Sequence, residues 1–181
     1  MSVSGFYRHR ARLATGVVRR TQESGRLIAA RIAIGLPILF SVLAFIVRPA
    51  LISWSYVSLP TWARWLGVGL GGCCIALVYW VMASLGSNVS ETVLTKSEHT
   101  LVTHGPYRWI RHPLYTTGLL LLTAFTLITA SWLIAALTVA AGIGIRYVVI
   151  PKEESALIEK FGDTYRQYVE HTGRLMPRLG T

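Results

Sequence analysis

At 181 residues the chain has the length of one domain, but 52% hydrophobic residues, 14% charged residues and a mean hydropathy of +0.49 make it too apolar for a soluble domain. A formal charge of +10 would suit a nucleic-acid binder, yet basic residues flanking apolar runs follow the positive-inside pattern, so no nucleic-acid partner is expected. Cys73 and Cys74 match no metal-ligand spacing and no disulfide framework; they read as small apolar residues, and no metal site is expected.

The chain begins with a basic arm, residues 1–26, carrying Arg8, Arg10, Arg12, Arg19, Arg20 and Arg26. It lacks a short apolar core followed by a small-residue cleavage site, so it is not read as a cleaved signal peptide. It reads as an amphipathic segment on anionic lipid or as a disordered arm. Residues 27–85 are expected to hold two transmembrane helices. The first, Leu27 to Val47, has Arg31 near its start and Pro37 as a kink, and Arg48-Pro49 closes it. Ala50 to Arg64, with Trp54, Tyr56 and Trp62, reads as an interfacial loop. The second, Trp65 to Leu85, carries no charge and places Gly67 and Gly71 at a spacing that lets another helix approach closely.

A polar segment, residues 86–113, follows, and then an apolar stretch, 114–150. As one helix that stretch would be about 55 Å long against a bilayer core of about 30 Å, so a hairpin turning near Thr129-Ala130-Ser131 is predicted. Pro151 is expected to end the last span. In the C-terminal segment, 151–181, Leu157, Ile158, Phe161, Tyr165, Tyr168 and Val169 recur at helical spacing, with Gly162-Asp163 as a break. The fold class is therefore all-α: a polytopic integral membrane protein of about four transmembrane helices plus a cytoplasmic C-terminal helix.

Four spans put both termini and residues 86–113 on one face. Lys and Arg number seven in residues 1–31, three in 86–113 and five in 151–181, against Arg48 and Arg64 opposite, which makes the crowded face cytoplasmic. On that face the hairpin returns Glu153 and Glu154 beside the cluster His99 to Tyr115, with Arg146 inside the last span. An acidic pair meeting His, Tyr and Arg side chains would make a small-molecule site; the same Arg and aromatic residues would also serve as an interfacial belt. Arg108 and Arg111 read as facing lipid phosphates. Asn88-Val-Ser90 matches a glycosylation triplet on the wrong face for glycosylation.

The run EHTLVTHGPYRWIRHPLYTTG and, beyond the hairpin, EESALIEKFGDTYRQYVEHTGRLMP closely resemble the isoprenylcysteine carboxyl methyltransferase family and the related phospholipid methyltransferases. The resemblance covers residues 84 to 179, with two separated motifs in order. It implies a membrane enzyme that uses S-adenosyl-L-methionine without a Rossmann unit, and the chain has no strand-turn-helix unit with G-x-G-x-x-G. Carried over by position, the cofactor-binding residues would be His99, Thr100, Leu101, Val102, Tyr107, His112, Pro113, Leu114, Tyr115 and Glu153. The catalytic set would be Arg146, Glu153 and Glu154. Animal members carry a substrate-contacting arginine four positions before this glutamate; here that position is Val149, and Arg146 is the nearest substitute. The resemblance implies methyl transfer to a lipophilic small-molecule or lipid acceptor, a carboxylate as in isoprenylcysteine carboxyl O-methylation. Alternatives are amine N-methylation of a phospholipid, thiol S-methylation, an NADPH-dependent sterol-reductase-like activity and, from another class, a non-enzymatic membrane anchor. The short chain points to a prokaryotic cytoplasmic membrane.

Overall fold

The computed structural model describes residues 25–86 and 101–178, with side chains from Ile32 onward in the first helix. Residues 1–24 of the basic arm, His99, Thr100 and the Asn88 triplet lie outside the described residues. Within them the chain is helical, with two isolated bridges and no strand. Helix α1 spans Gly25–Val47 and runs through Pro37. Two 3-10 turns, Pro49–Leu51 and Ser53–Ser55, lead to α2, Thr61–Leu85. The expected interfacial loop thus yields its last residues, including Arg64, to the helix, which opens after Pro60 because proline suits a helix start.

Helices α3, Pro113–Thr129, and α4, Trp132–Gly144, form the hairpin. The turn is two residues long. Ala130 takes a left-handed conformation (φ 52°), and the Ser131 hydroxyl caps the amide of Ile134 at 3.4 Å. The turn is also tied to the loop after α1: Val57 N–H donates to the Ala130 carbonyl at 2.7 Å, and the buried Ser55 and Ser131 hydroxyls lie 2.7 Å apart.

Closest packing occurs between α2 and α3. A Cβ on Gly67 would stand 2.8 Å from the Ala124 carbonyl and 2.8 Å from the Leu127 Cβ, so only glycine admits this approach. The threonines of the hairpin turn their hydroxyls back on their own helix: Thr117, Thr123, Thr126, Thr129 and Thr138 each donate to the carbonyl four residues earlier. No hydroxyl among them needs water, which suits helices in an apolar medium.

Pro151 does not stop the chain. Gly144 passes into a π-helical turn, Ile145–Val149, and then directly into α5, Ile150–His171, making one rod from Trp132 to His171. In the wider turn the Ile150 amide reaches back to the Ile145 carbonyl, and the register shift accommodates a proline without an N–H at the start of α5. Trp132–Val149 is the mainly apolar part of this rod, with Arg146 near its end; the polar run begins at Lys152. The sequence signal for a break at Gly162 is real (φ 53°), while the helix itself stops at His171 and residues 172–178 run on without helix. Two helices, Thr61–Leu85 and Trp132–His171, are long and apolar enough to cross a membrane, and Ile32–Val47 and Pro113–Thr129 are shorter apolar helices.

Candidate functional site

The polar cluster is assembled from three segments that the fold brings to one end of the hairpin: the loop 101–112, the first turns of α5, and residues 172–175. The loop is anchored first. Gly105 has φ 60°, and a Cβ there would collide with Ser84 near the end of α2, so the GPY turn needs its glycine both for backbone and for space. Tyr107 packs with Val81, Met82 and Val102 in a small core. Its carbonyl accepts from the Tyr168 hydroxyl at 2.6 Å, tying the loop to α5. Burial, with Tyr168 and Glu153 nearby, pushes the Tyr107 phenol well above its ordinary pKa.

Residues 172–175 close the arrangement by backbone pairing. Gly173 N–H donates to the Trp109 carbonyl at 3.0 Å, Arg111 N–H to the Gly173 carbonyl at 2.8 Å, and His112 N–H to the Arg174 carbonyl at 3.1 Å. The Thr116 hydroxyl adds a bond to the Leu175 carbonyl at 2.7 Å.

Inside this frame His112, the residue before Pro113 and α3, lies between two carboxylates. Its Nδ1 is 3.3 Å from Glu153 Oε2 and its Nε2 is 3.6 Å from Glu154 Oε1. Tyr115 stacks on the imidazole at 5.9 Å between centroids and donates its hydroxyl to Glu153 Oε1 at 2.7 Å. Glu154 is claimed on its other sides by arginines: Arg111 Nε donates to Oε1 at 2.9 Å and Arg174 Nη2 to Oε2 at 2.9 Å. Arg111 also donates to the carbonyls of Val169 and Thr172. Its side chain is 6% exposed, so the expectation that Arg111 faces lipid phosphates is corrected; a buried guanidinium must be paired, and Glu154 and the end of α5 supply the partners.

Burial alone would lower the His112 pKa, but the carboxylates of Glu153 and Glu154 on either side of the ring outweigh it and the pKa is raised. Burial would likewise raise that of Glu154, which lies beyond the apolar part of the rod; His112, Arg111 and Arg174 overcome this and hold it at about 2.

Of the residues singled out from sequence, Tyr107, His112, Tyr115, Glu153 and Glu154 come together here. Val102 is buried in the loop core, Leu101 is half-buried, and Pro113 is buried at the first turn of α3. Leu114 is 39% exposed. Arg146 lies in the π-turn with its guanidinium over the Tyr147 ring at 5.6 Å and makes no ion pair among the described residues. Arg111, Tyr168 and Arg174 escaped the reading by roles. The one available signal was their place inside the two motifs.

The fold and this junction define a helical membrane protein whose hairpin carries a buried polar cluster at one end. The chain belongs to the isoprenylcysteine carboxyl methyltransferase (ICMT) family, whose model matches residues 67–159. It is 33% identical over 132 residues to the protein-S-isoprenylcysteine O-methyltransferase of Tribolium castaneum, covering 63% of this chain and 42% of that protein. It is 37% identical over 71 residues to methanethiol S-methyltransferase 1 of Bradyrhizobium diazoefficiens, covering 39% of this chain and 24% of that one. The structure of a eukaryotic intramembrane Ras methyltransferase, ICMT, superposes with a TM-score of 0.58 at 25% identity, covering 90% of this chain and 55% of that chain. The chain therefore spans about half, or less, of the length of these relatives.

Proposed function

We propose that the protein is an S-adenosyl-L-methionine-dependent methyltransferase that acts on a lipophilic acceptor entering from the bilayer. The observation that carries this reading is the state of Glu153. Its carboxylate is oriented by Tyr115 and His112, and the side chain is 20% exposed, whereas neighbouring Glu154 is consumed by internal ion pairs. An oriented, partly open carboxylate among tyrosines fits a ligand bearing an ammonium and a sulfonium. Leu101, Val102 and Tyr107 would supply apolar and aromatic walls, with His99 and Thr100 on the segment leading into them. S-adenosylmethionine, when bound, supplies a methyl carbon already activated by the sulfonium. The family match supports this cofactor over NADPH.

An acceptor carboxylate arrives ionised and needs no general base, so the chain's task is alignment and charge placement. In this reading Arg146 orients the acceptor: it sits in the π-turn, on the rod that also carries Glu153, at the apolar edge from which a lipid would approach. Four spans with both termini on the cytoplasmic face complete the topology, so that donor and acceptor meet from opposite media.

A second reading, transfer to a small thiol, is favoured by one observation. Val149, four positions before Glu153, is buried and apolar, and the cations that flank it on the rod are Arg146 and Lys152. Offering methyl-labelled S-adenosylmethionine with a prenylated cysteine carboxylate, a phospholipid amine and a small thiol to the detergent-purified protein decides between acceptors. No label transfer to any of them, together with no cofactor-dependent rise in thermal stability, would falsify the methyltransferase reading.

A further inference from the structure

The Glu154 side chain is 9% exposed, and both of its oxygens are engaged. Oε1 takes Arg111 and faces His112 Nε2; Oε2 takes Arg174. Two guanidinium charges thus meet one buried carboxylate, and Glu154 is over-neutralised before the imidazole is counted. His112 Nε2 makes no hydrogen bond, while Nδ1 approaches Glu153. With its Oε2 held by Arg174, the Glu154 carboxylate cannot rotate to draw the imidazole away from Glu153. Arg174 is the peripheral member: its side chain is 38% exposed and it comes from the segment after α5, against 6% for Arg111.

We propose that Arg174 is a positioning residue for ligand binding at Glu153, acting through Glu154 and His112 and not by touching the ligand. This rests on the methyl-donor reading above. The C-terminal segment thereby becomes part of the site: its backbone pairs with Trp109, Arg111 and His112, and its Arg174 sets the orientation of the carboxylate that sets the histidine. The linkage runs from Arg174 to Glu154, from Glu154 to His112, and from His112 to Glu153, each step a contact given above.

A double-mutant cycle separates this role from direct contact, because a residue acting through Glu154 has nothing to act on once Glu154 is changed. Binding of S-adenosylhomocysteine and of S-adenosylmethionine to the detergent-purified full chain is measured by titration calorimetry, with unliganded thermal unfolding in parallel. Arg174→Met is expected to weaken both ligands by about tenfold, the scale seen when an outer partner of a ligand-holding group is lost. Arg174→Lys, which keeps the charge, should recover part of that loss. In a Glu154→Gln background Arg174→Met should add less than about twofold.

Unchanged binding in Arg174→Met overturns the proposal. An undiminished tenfold loss in the Glu154→Gln background also overturns it, since Arg174 would then contact the ligand itself. If the wild-type protein binds neither ligand, the methyl-donor reading fails and the positioning role falls with it. Wild-type binding that is indifferent to Arg174 removes the positioning role alone.

Discussion

Glu153 and Glu154 are adjacent in sequence and opposite in circumstance: one carboxylate is held by Tyr115 and His112 and remains partly open, the other is buried between Arg111 and Arg174. Successive residues of a helix are set about 100° apart, so one points into the cluster and its neighbour toward the end of α5. Substituting them should have separable effects. Glu154→Gln leaves Arg111 buried without its counter-charge and is expected to cost about 3–5 kcal/mol of stability. Glu153→Gln, next to open space, should change thermal stability little and abolish most cofactor binding. Thermal unfolding and ligand titration on the two purified variants check this; equal loss of stability in both would contradict the division.

Tyr115 donates to Glu153 at 2.7 Å and stacks on His112. Tyr115→Phe keeps the ring and removes the donor, at a cost of about 1 kcal/mol if the bond is an ordinary one. The expected result is a several-fold weaker cofactor affinity and an unfolding temperature lowered by about 2–4 °C. Tyr115→Ala, which also deletes the stacked face, should do worse on both measures.

The junction should depend on pH in two senses. His112 has a folded pKa raised above the unfolded value near 6.5, so its stabilisation is complete below about pH 6.5 and fades as pH rises through the folded pKa. Glu154, held at about 2, stabilises fully above its unfolded value near 4.3 and loses that contribution as pH falls toward 2. Both act in full only between about pH 4.5 and 6.5. The groups facing the imidazole are Glu153, Glu154, Arg111 through Glu154, and Tyr115. Unfolding curves from pH 5 to 9 should show a decline on the alkaline side that His112→Asn flattens; an unaltered slope in that variant would count against the assignment.

Gly67 is the tightest point between α2 and α3, whereas a Cβ at Gly71 would meet only the Ala124 Cβ at an ordinary 3.9 Å. Gly67→Val should therefore force the helices apart and destabilise by about 1–3 kcal/mol or more, as overpacking does. Gly71→Ala should be neutral within about 0.5 kcal/mol. Melting of both variants in the same detergent tests the pair, and a stable Gly67→Val protein would mean the helices do not pack this way in solution.

Much of the architecture could be read from residues alone because the medium imposes it. Uncharged runs such as Trp65–Leu85 have one low-energy form in lipid, a helix with its backbone bonds internal. The apolar length after Pro113 demanded a reversal, and Ala130-Ser131 makes it. Pro151 shows the limit of a local rule: proline disfavours helix, but a π-turn just before it removes the conflict, and no propensity scale registers a change of helical register.

The candidate site divides in the same manner. Sequence by itself determined that the chain needs lipid, that polar residues gather on either side of the hairpin, and which motifs hold Tyr107, His112, Tyr115, Glu153 and Glu154. Those are consequences of composition and of order along the chain. Only the tertiary structure decided which glutamate stays open, that Arg111 is buried instead of facing lipid, and that residues 172–175 complete the junction. The physical reason is that burial and charge pairing depend on contacts between positions as far apart as Arg111 and Thr172, which no local pattern encodes.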